Sequence, residues 1–156
     1  MRVTSGAAVR FILLQFAVIS SFFSIVYMDR FVLDVVLAPL NAMRHVREFH
    51  FAFFDILSTI VFASIAIAYL IGRGADGWKV AVATFAEGIA LIRLGFEDTF
   101  YYVLWRESLP DRLPWLDHNP VLVYSSSLVT STGLFYTMLI TTLIFALVWA
   151  GIWRRI

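Results

Sequence analysis

The stretch from residue 78 to residue 105 constrains this chain more than any other. It is apolar and long enough to cross a bilayer, yet it contains Glu87, Arg93, Glu97 and Asp98. An ionisable group near the centre of a membrane helix costs about 2.5–3.5 kcal/mol on insertion scales. These side chains must therefore face protein, water or a cation, and they mark the part of the chain where chemistry or transport would occur.

In an unbroken helix, these charged side chains would share one sector of about 140°. Glu87 and Asp98 nearly superimpose on the helical wheel, and Arg93 precedes Glu97 by one turn, as an i, i+4 ion pair requires. The formal sum is −2, because three acids accompany one arginine. We therefore expect a proton, a metal ion or a cation from another helix to balance the site, with Arg93 as the counter-ion that orients Glu97.

The composition predicts an all-α integral membrane protein. Of the 156 residues, 61% are hydrophobic and the mean hydropathy is +0.84, whereas soluble domains are about half apolar. This length leaves room for about four spans and no sizeable domain outside the membrane. We predict a single transmembrane domain, a four-helix bundle with short loops and spans at about 11–38, 50–71, 78–105 and 120–153.

The ends of the spans carry the expected interfacial residues. All five tryptophans lie at predicted span ends or in a loop, as in the aromatic belt of membrane proteins. With four spans, both termini lie on one side, and that side carries six basic residues against five on the other. The positive-inside rule therefore favours cytoplasmic termini for this multi-pass protein.

The fourth span has a distinctive sequence. Asn119 and Pro120 form a good N-cap and first-turn pair for a long helix that continues to Trp153. Gly133 is its predicted weak point. A hydroxyl stripe follows the helix and is expected to pack against neighbouring helices; it comprises Thr130, Thr137 and Thr141.

Several function classes are disfavoured. The chain has no cysteine, which excludes thiolate metal sites, iron–sulfur clusters and c-type haem attachment. The net charge of +1 argues against nucleic acid as a partner. The sequence contains no glycine-rich phosphate loop, nucleophile elbow or zinc-protease helix motif. We expect membrane lipids as surroundings and assembly as a homo-oligomer or as a subunit of a membrane complex.

The alternating direction of four helices predicts where the polar groups meet. Residues at the start of span two, the end of span three and the start of span four fall in the same membrane half. They are His45, His50, Asp55, Glu97, Asp98 and His118, and they include every histidine of the chain. Glu87 lies toward the opposite half. We therefore predict a site centred on Glu97 and Asp98 in one half of the bundle.

One hypothesis makes this site a metal centre. Glu97, Asp98, His50, His118 and Asp55 would bind zinc, iron, copper or manganese, which accept carboxylate and imidazole ligands. The metal would activate water or oxygen for a lipid-soluble substrate. The catalytic group of this membrane enzyme would comprise Glu97, Asp98, Glu87 and Arg93.

Other hypotheses use the same residues differently. In a small accessory or structural subunit of a larger membrane complex, the charged side chains would neutralise one another in interhelical salt bridges. In a small proton- or cation-coupled transporter, Glu87, Arg93, Glu97 and Asp98 would form the pathway. A further variant places a b-type haem between His50 and His118. The sequence leaves these alternatives open.

Overall fold

The protein is all-helical in its computed structural model, which describes residues 5–42, 45–116 and 129–152. The helices are α1 (Ser5–Phe31), α2 (Val46–His50), α3 (Ser58–Arg73), α4 (Trp78–Arg93), α5 (Phe96–Leu104) and α6 (Ser131–Ile152). Two π-helical segments extend this pattern: Val32–Leu37 continues α1, and Phe51–Leu57 joins α2 to α3. The predicted all-α class is confirmed for these residues.

Helices α3 and α4 form the most closely packed pair. The chain reverses between them through a 3₁₀ turn, Gly74–Gly77, in which Gly74 has φ +67°, at the position where the glycine-rich sequence predicts a tight turn. Gly88 of α4 faces the fully buried ring of Phe62 in α3, and a Cβ at Gly88 would overlap that ring. The glycine lets the two backbones approach closely, as small residues do in membrane helix pairs.

Helix α4 is the centre of the bundle, since it contacts α1, α3, α5 and α6. The largest buried cluster joins α1 to the α3–α4 pair and comprises Val18, Phe22, Ile25, Val26, Phe62 and Ile92. A second cluster, at the other end of α4, comprises Leu14, Val80, Ala83 and Trp149. The stretch that carries the charged residues thus passes through the middle of the protein.

Three helical segments of the described residues are long and apolar enough to cross a membrane. They are Gly6–Leu37, Glu48–Arg93 and Ser131–Ile152. The second contains both α3 and α4, so it turns back on itself. Large apolar side chains cover the outer surfaces of α1 and α6; Phe16 is 70% exposed and Leu147 is 74% exposed. Such surfaces are typical of proteins that contact lipid.

The fourth helix is shorter than the sequence predicts. Val129 and Thr130 lie outside it, and Thr130 forms an antiparallel bridge with Arg112. The Thr130 hydroxyl accepts a hydrogen bond from the Gly133 backbone N–H at 3.1 Å, so Thr130 caps α6. A continuous helix through residues 129 and 130 is therefore wrong, and residues 117–128 lie outside the described residues. Gly133 lies in the first turn of α6, and the helix is continuous from Ser131 to Ile152.

Candidate functional site

The central stretch is broken at Gly95, and this break positions the two adjacent acids. Helix α4 ends at Arg93, and Gly95 adopts φ +88° before α5 begins. Leu134 of α6 packs directly on Gly95, where a Cβ would overlap it. Glu97 and Asp98 consequently lie in the first turn of a new helix, where backbone N–H groups favour negative charge. The predicted shared face of Glu87 and Asp98 assumed one unbroken helix and is therefore wrong.

Arg93 forms an ion pair with Asp55 rather than the predicted i, i+4 pair with Glu97. Asp55 lies in the π-helical segment before α3, so the pair joins the two arms of the helical hairpin. Both side chains are partly exposed, at 48% and 30%. The break at Gly95 explains the difference, because it removes the helical register that an Arg93–Glu97 pair needs.

We define the Asp29 site by three ionisable groups, one each on α1, α2 and α5: Asp29, His50 and Glu97. Asp29 is buried, and its Oδ1 lies 3.2 Å from His50 Nε2. Glu97 is also buried; Asp29 and the half-buried Asp98 are acidic neighbours that act on it electrostatically. Within the described residues, Glu97 Oε1 has no hydrogen-bond partner, and Asp29 Oδ1 and His50 Nε2 lie close together without hydrogen-bond geometry. His50 is the outward-facing member, with a side chain 40% exposed.

Glu87 belongs to a second polar centre. Its Oε2 accepts hydrogen bonds from the Gln15 side-chain amide in α1 and from the Trp149 indole N–H in α6, each at 3.0 Å. Trp149 is 7% exposed and packs edge-on against Phe11. Trp149 lies in the last turn of α6, and its side chain faces the interior of the bundle. A buried carboxylate needs hydrogen-bond donors. This requirement is the signal that could have identified Gln15 from the sequence.

Arg30 makes a third polar connection, which sequence reasoning identified only in part. The i, i+4 spacing of Arg30 and Asp34 predicts an ion pair, and this pair is present; the guanidinium also donates two hydrogen bonds to Glu107, at 2.9 and 3.1 Å. It donates a further bond to the Tyr101 hydroxyl and lies over the rings of Tyr101 and Trp105. These contacts connect the end of α1 to α5 and to the segment that follows α5.

The positions of the described side chains do not support the metal hypothesis. Among residues 5–42, 45–116 and 129–152, no three histidine, aspartate or glutamate side chains are close enough together to hold a metal ion. Asp55 is engaged with Arg93, and His45 is exposed, 4.0 Å from Glu48. His118, which both the metal and the haem hypotheses require, lies outside the described residues.

No protein-family model matches the chain, and no curated protein or solved structure is significantly similar to it. A functional assignment therefore depends on the geometry of the two polar centres.

Proposed function

We propose that the chain is a multi-pass membrane protein of four spans and that its Asp29 site exchanges a proton, as in a small proton-coupled transporter or energy-coupling subunit. Three helical segments have the length and apolar character of spans, and one of them folds back into two antiparallel arms. Lipids would surround the exposed faces of α1 and α6. The termini would lie on the cytoplasmic side, where the basic residues are slightly in excess.

The buried Glu97 side chain carries this proposal. A carboxylate out of contact with water must be balanced by a proton or a cation. The charges that act on Glu97 are the acids Asp98 and Asp29, and its Oε1 has no hydrogen-bond partner within the described part of the chain. No group of metal-binding side chains surrounds it in that part. A proton is the balancing charge that these contacts favour.

His50 provides the route by which that proton would reach water. Its imidazole is partly exposed on one side and contacts the buried Asp29 on the other. Histidine side chains commonly act as proton shuttles in proteins. We therefore assign His50 as the outer proton carrier, with Asp29 as its partner, and Glu97 as the acceptor on which Asp29 acts electrostatically.

The test compares Glu97→Gln with Glu48→Gln, the same chemical change at an exposed position in α2; the Glu48 side chain is 71% exposed. In infrared difference spectra recorded across pH, the wild-type protein should give a protonated-carboxyl C=O band that Glu97→Gln loses and Glu48→Gln retains. Proteoliposomes containing a pH-sensitive dye should show proton uptake with the same dependence on Glu97. The proposal is overturned if neither the band nor the uptake depends on Glu97.

Elemental analysis separates the proton from a metal ion as the balancing charge. Iron, zinc, copper or manganese present at one equivalent and lost in Glu97→Gln would replace the proton proposal with the metal-dependent enzyme. The expected result is that the metal content of the wild-type protein and of Glu97→Gln is the same.

A second candidate function, an accessory subunit of a membrane complex, is favoured by the ion pairs Arg93–Asp55 and Arg30–Glu107. Each ion pair joins elements that are distant in sequence, and each can stabilise the fold without taking part in a reaction. In that case, Glu97→Gln would change thermal stability without altering proton uptake. Sedimentation of the detergent-purified protein would show whether it forms a homo-oligomer.

A further inference from the structure

A half-open cavity of about 290 Å³ lies beside Glu87, lined by residues of α4 and α6 and by Phe96 of α5; its lining includes none of the three residues of the Asp29 site. Its walls include Phe96 and Glu87 on one side, and Thr141, Phe145, Ala146 and Trp149 on the other. This volume is at the lower end of the range of small-molecule pockets, about 300–1,000 Å³. Such pockets are mainly apolar with a few fixed polar groups, which is the composition of this lining.

The carboxylate of Glu87 is held in place by two donors. The Gln15 amide and the Trp149 indole both donate to Oε2, from two different helices. Both donors are neutral, so they orient the carboxylate without cancelling its charge. Glu87 is the only charged side chain in the lining formed by the described residues. A cationic ligand that enters the cavity would supply the balancing charge that this carboxylate needs in apolar surroundings.

We propose that this cavity binds a small lipid-soluble amine in its ammonium form, with the ammonium at Glu87 and the apolar body against Phe96 and Phe145. An ammonium next to a carboxylate in apolar surroundings forms a charge-assisted hydrogen bond. The proposal is independent of the Asp29 site, since it uses different residues.

Other ligand classes fit less well. An anion would be repelled by Glu87. A hard divalent cation needs about six oxygen ligands, and here it would meet one carboxylate and the hydroxyls of Thr141 and Thr142. A plain hydrocarbon chain could fill the apolar part but would gain nothing from the carboxylate. Charge and size together favour the amine.

The probe is radiolabelled 2-phenylethylamine, and its neutral isostere propylbenzene serves as competitor. Binding is measured by equilibrium dialysis against the full-length protein in lipid nanodiscs, with empty nanodiscs as the blank. We expect saturable binding at one site per chain. Propylbenzene should compete at least about tenfold more weakly than unlabelled amine, because it lacks the charged hydrogen bond.

Two variants separate the charge from the cavity. Glu87→Gln should weaken binding about tenfold or more, and Ala146→Phe should abolish it by filling the space without altering the carboxylate. Leu147→Phe is the matched control, because Leu147 is the adjacent residue on the exposed face of α6; it should bind as the wild type does. If Glu87→Gln fails to fold, Ala146→Phe and the propylbenzene comparison still decide the question.

The proposal is overturned by any of three results. Binding to the wild-type nanodiscs that does not exceed the blank would mean that the cavity takes no amine. Equal competition by propylbenzene would indicate a purely apolar cavity. Binding that survives Ala146→Phe unchanged would place the amine elsewhere.

Discussion

The break at Gly95 is the feature on which the position of Glu97 depends. It can be tested with four glycines that are chosen for two properties, the sign of φ and the space available to a Cβ. Gly95 has both a positive φ and a neighbouring side chain, Leu134, in the space of a Cβ. Gly74 has a positive φ with open space around it, while Gly88 has the Phe62 ring in that space and no positive φ. Gly72 has neither.

Alanine at Gly74 and alanine at Gly88 should therefore each isolate one contribution to the loss of folding stability. A non-glycine residue in the left-handed region of Gly95 costs about 1–2 kcal/mol. Gly74, with ψ −164°, lies in a region that only glycine adopts readily, so Gly74→Ala should lose about 1–3 kcal/mol. Overpacking costs about 1–3 kcal/mol, which is the expected loss for Gly88→Ala. Gly95→Ala combines the two and should lose about 2–5 kcal/mol. Gly72→Ala should be neutral or stabilise by up to about 0.5 kcal/mol, since alanine favours a helix.

The assay is reversible unfolding of each variant in mixed micelles with an increasing fraction of denaturing detergent, followed by circular dichroism. The free energy of unfolding should fall in the order Gly72→Ala, then Gly74→Ala or Gly88→Ala, then Gly95→Ala. A Gly95→Ala variant no less stable than Gly72→Ala would mean that Gly95 has neither the positive φ nor the contact with Leu134. The reasoning that places Glu97 at the start of a separate helix would then fail.

Two further predictions concern the polar contacts of α4. Trp149→Phe keeps an aromatic ring but removes the indole donor to Glu87, so it should lower the free energy of unfolding by about 1–2 kcal/mol; an unchanged value would contradict that hydrogen bond. A double-mutant cycle between Arg93→Ala and Asp55→Ala should give a coupling energy of about 0.5–1 kcal/mol, modest because both side chains are partly exposed. A cycle between Arg93→Ala and Glu97→Ala should give a smaller coupling energy. A larger coupling energy would mean that Arg93 pairs with Glu97, as their i, i+4 spacing suggests.

The sequence was sufficient to predict the helical class, the apolar segments and the turn between α3 and α4. Each of these depends on local features: long hydrophobic runs, and three glycines within residues 72–77. The pairing of Arg30 with Asp34 is also local, at i, i+4, and it is present. Local patterns succeed here because neighbouring residues alone determine them.

The break at Gly95 could not be predicted in the same way. A single glycine inside an apolar run costs a helix only about 1 kcal/mol, so the sequence favoured one helix over 78–105. The positive φ is adopted where Leu134, distant in sequence, packs on the backbone. The assumption of one unbroken helix also made the predicted positions of the charged residues wrong, because both the helical wheel and the Arg93–Glu97 pair require a continuous helical register.

The two polar centres are too far apart to act as a single site, and this separation makes the two proposals independent. Gln15, which fixes Glu87, and Asp29, which contacts His50, lie on the same helix α1, fourteen residues apart. At 1.5 Å per residue, they are separated by about 21 Å. Substitutions more than about 10 Å apart without shared partners normally have additive effects. Glu87→Gln should therefore leave the proton uptake that depends on Glu97 unchanged, and Glu97→Gln should leave amine binding unchanged. If each substitution abolished both activities, the two centres would belong to one continuous pathway along α4, and the amine would then be a candidate for the transported substrate.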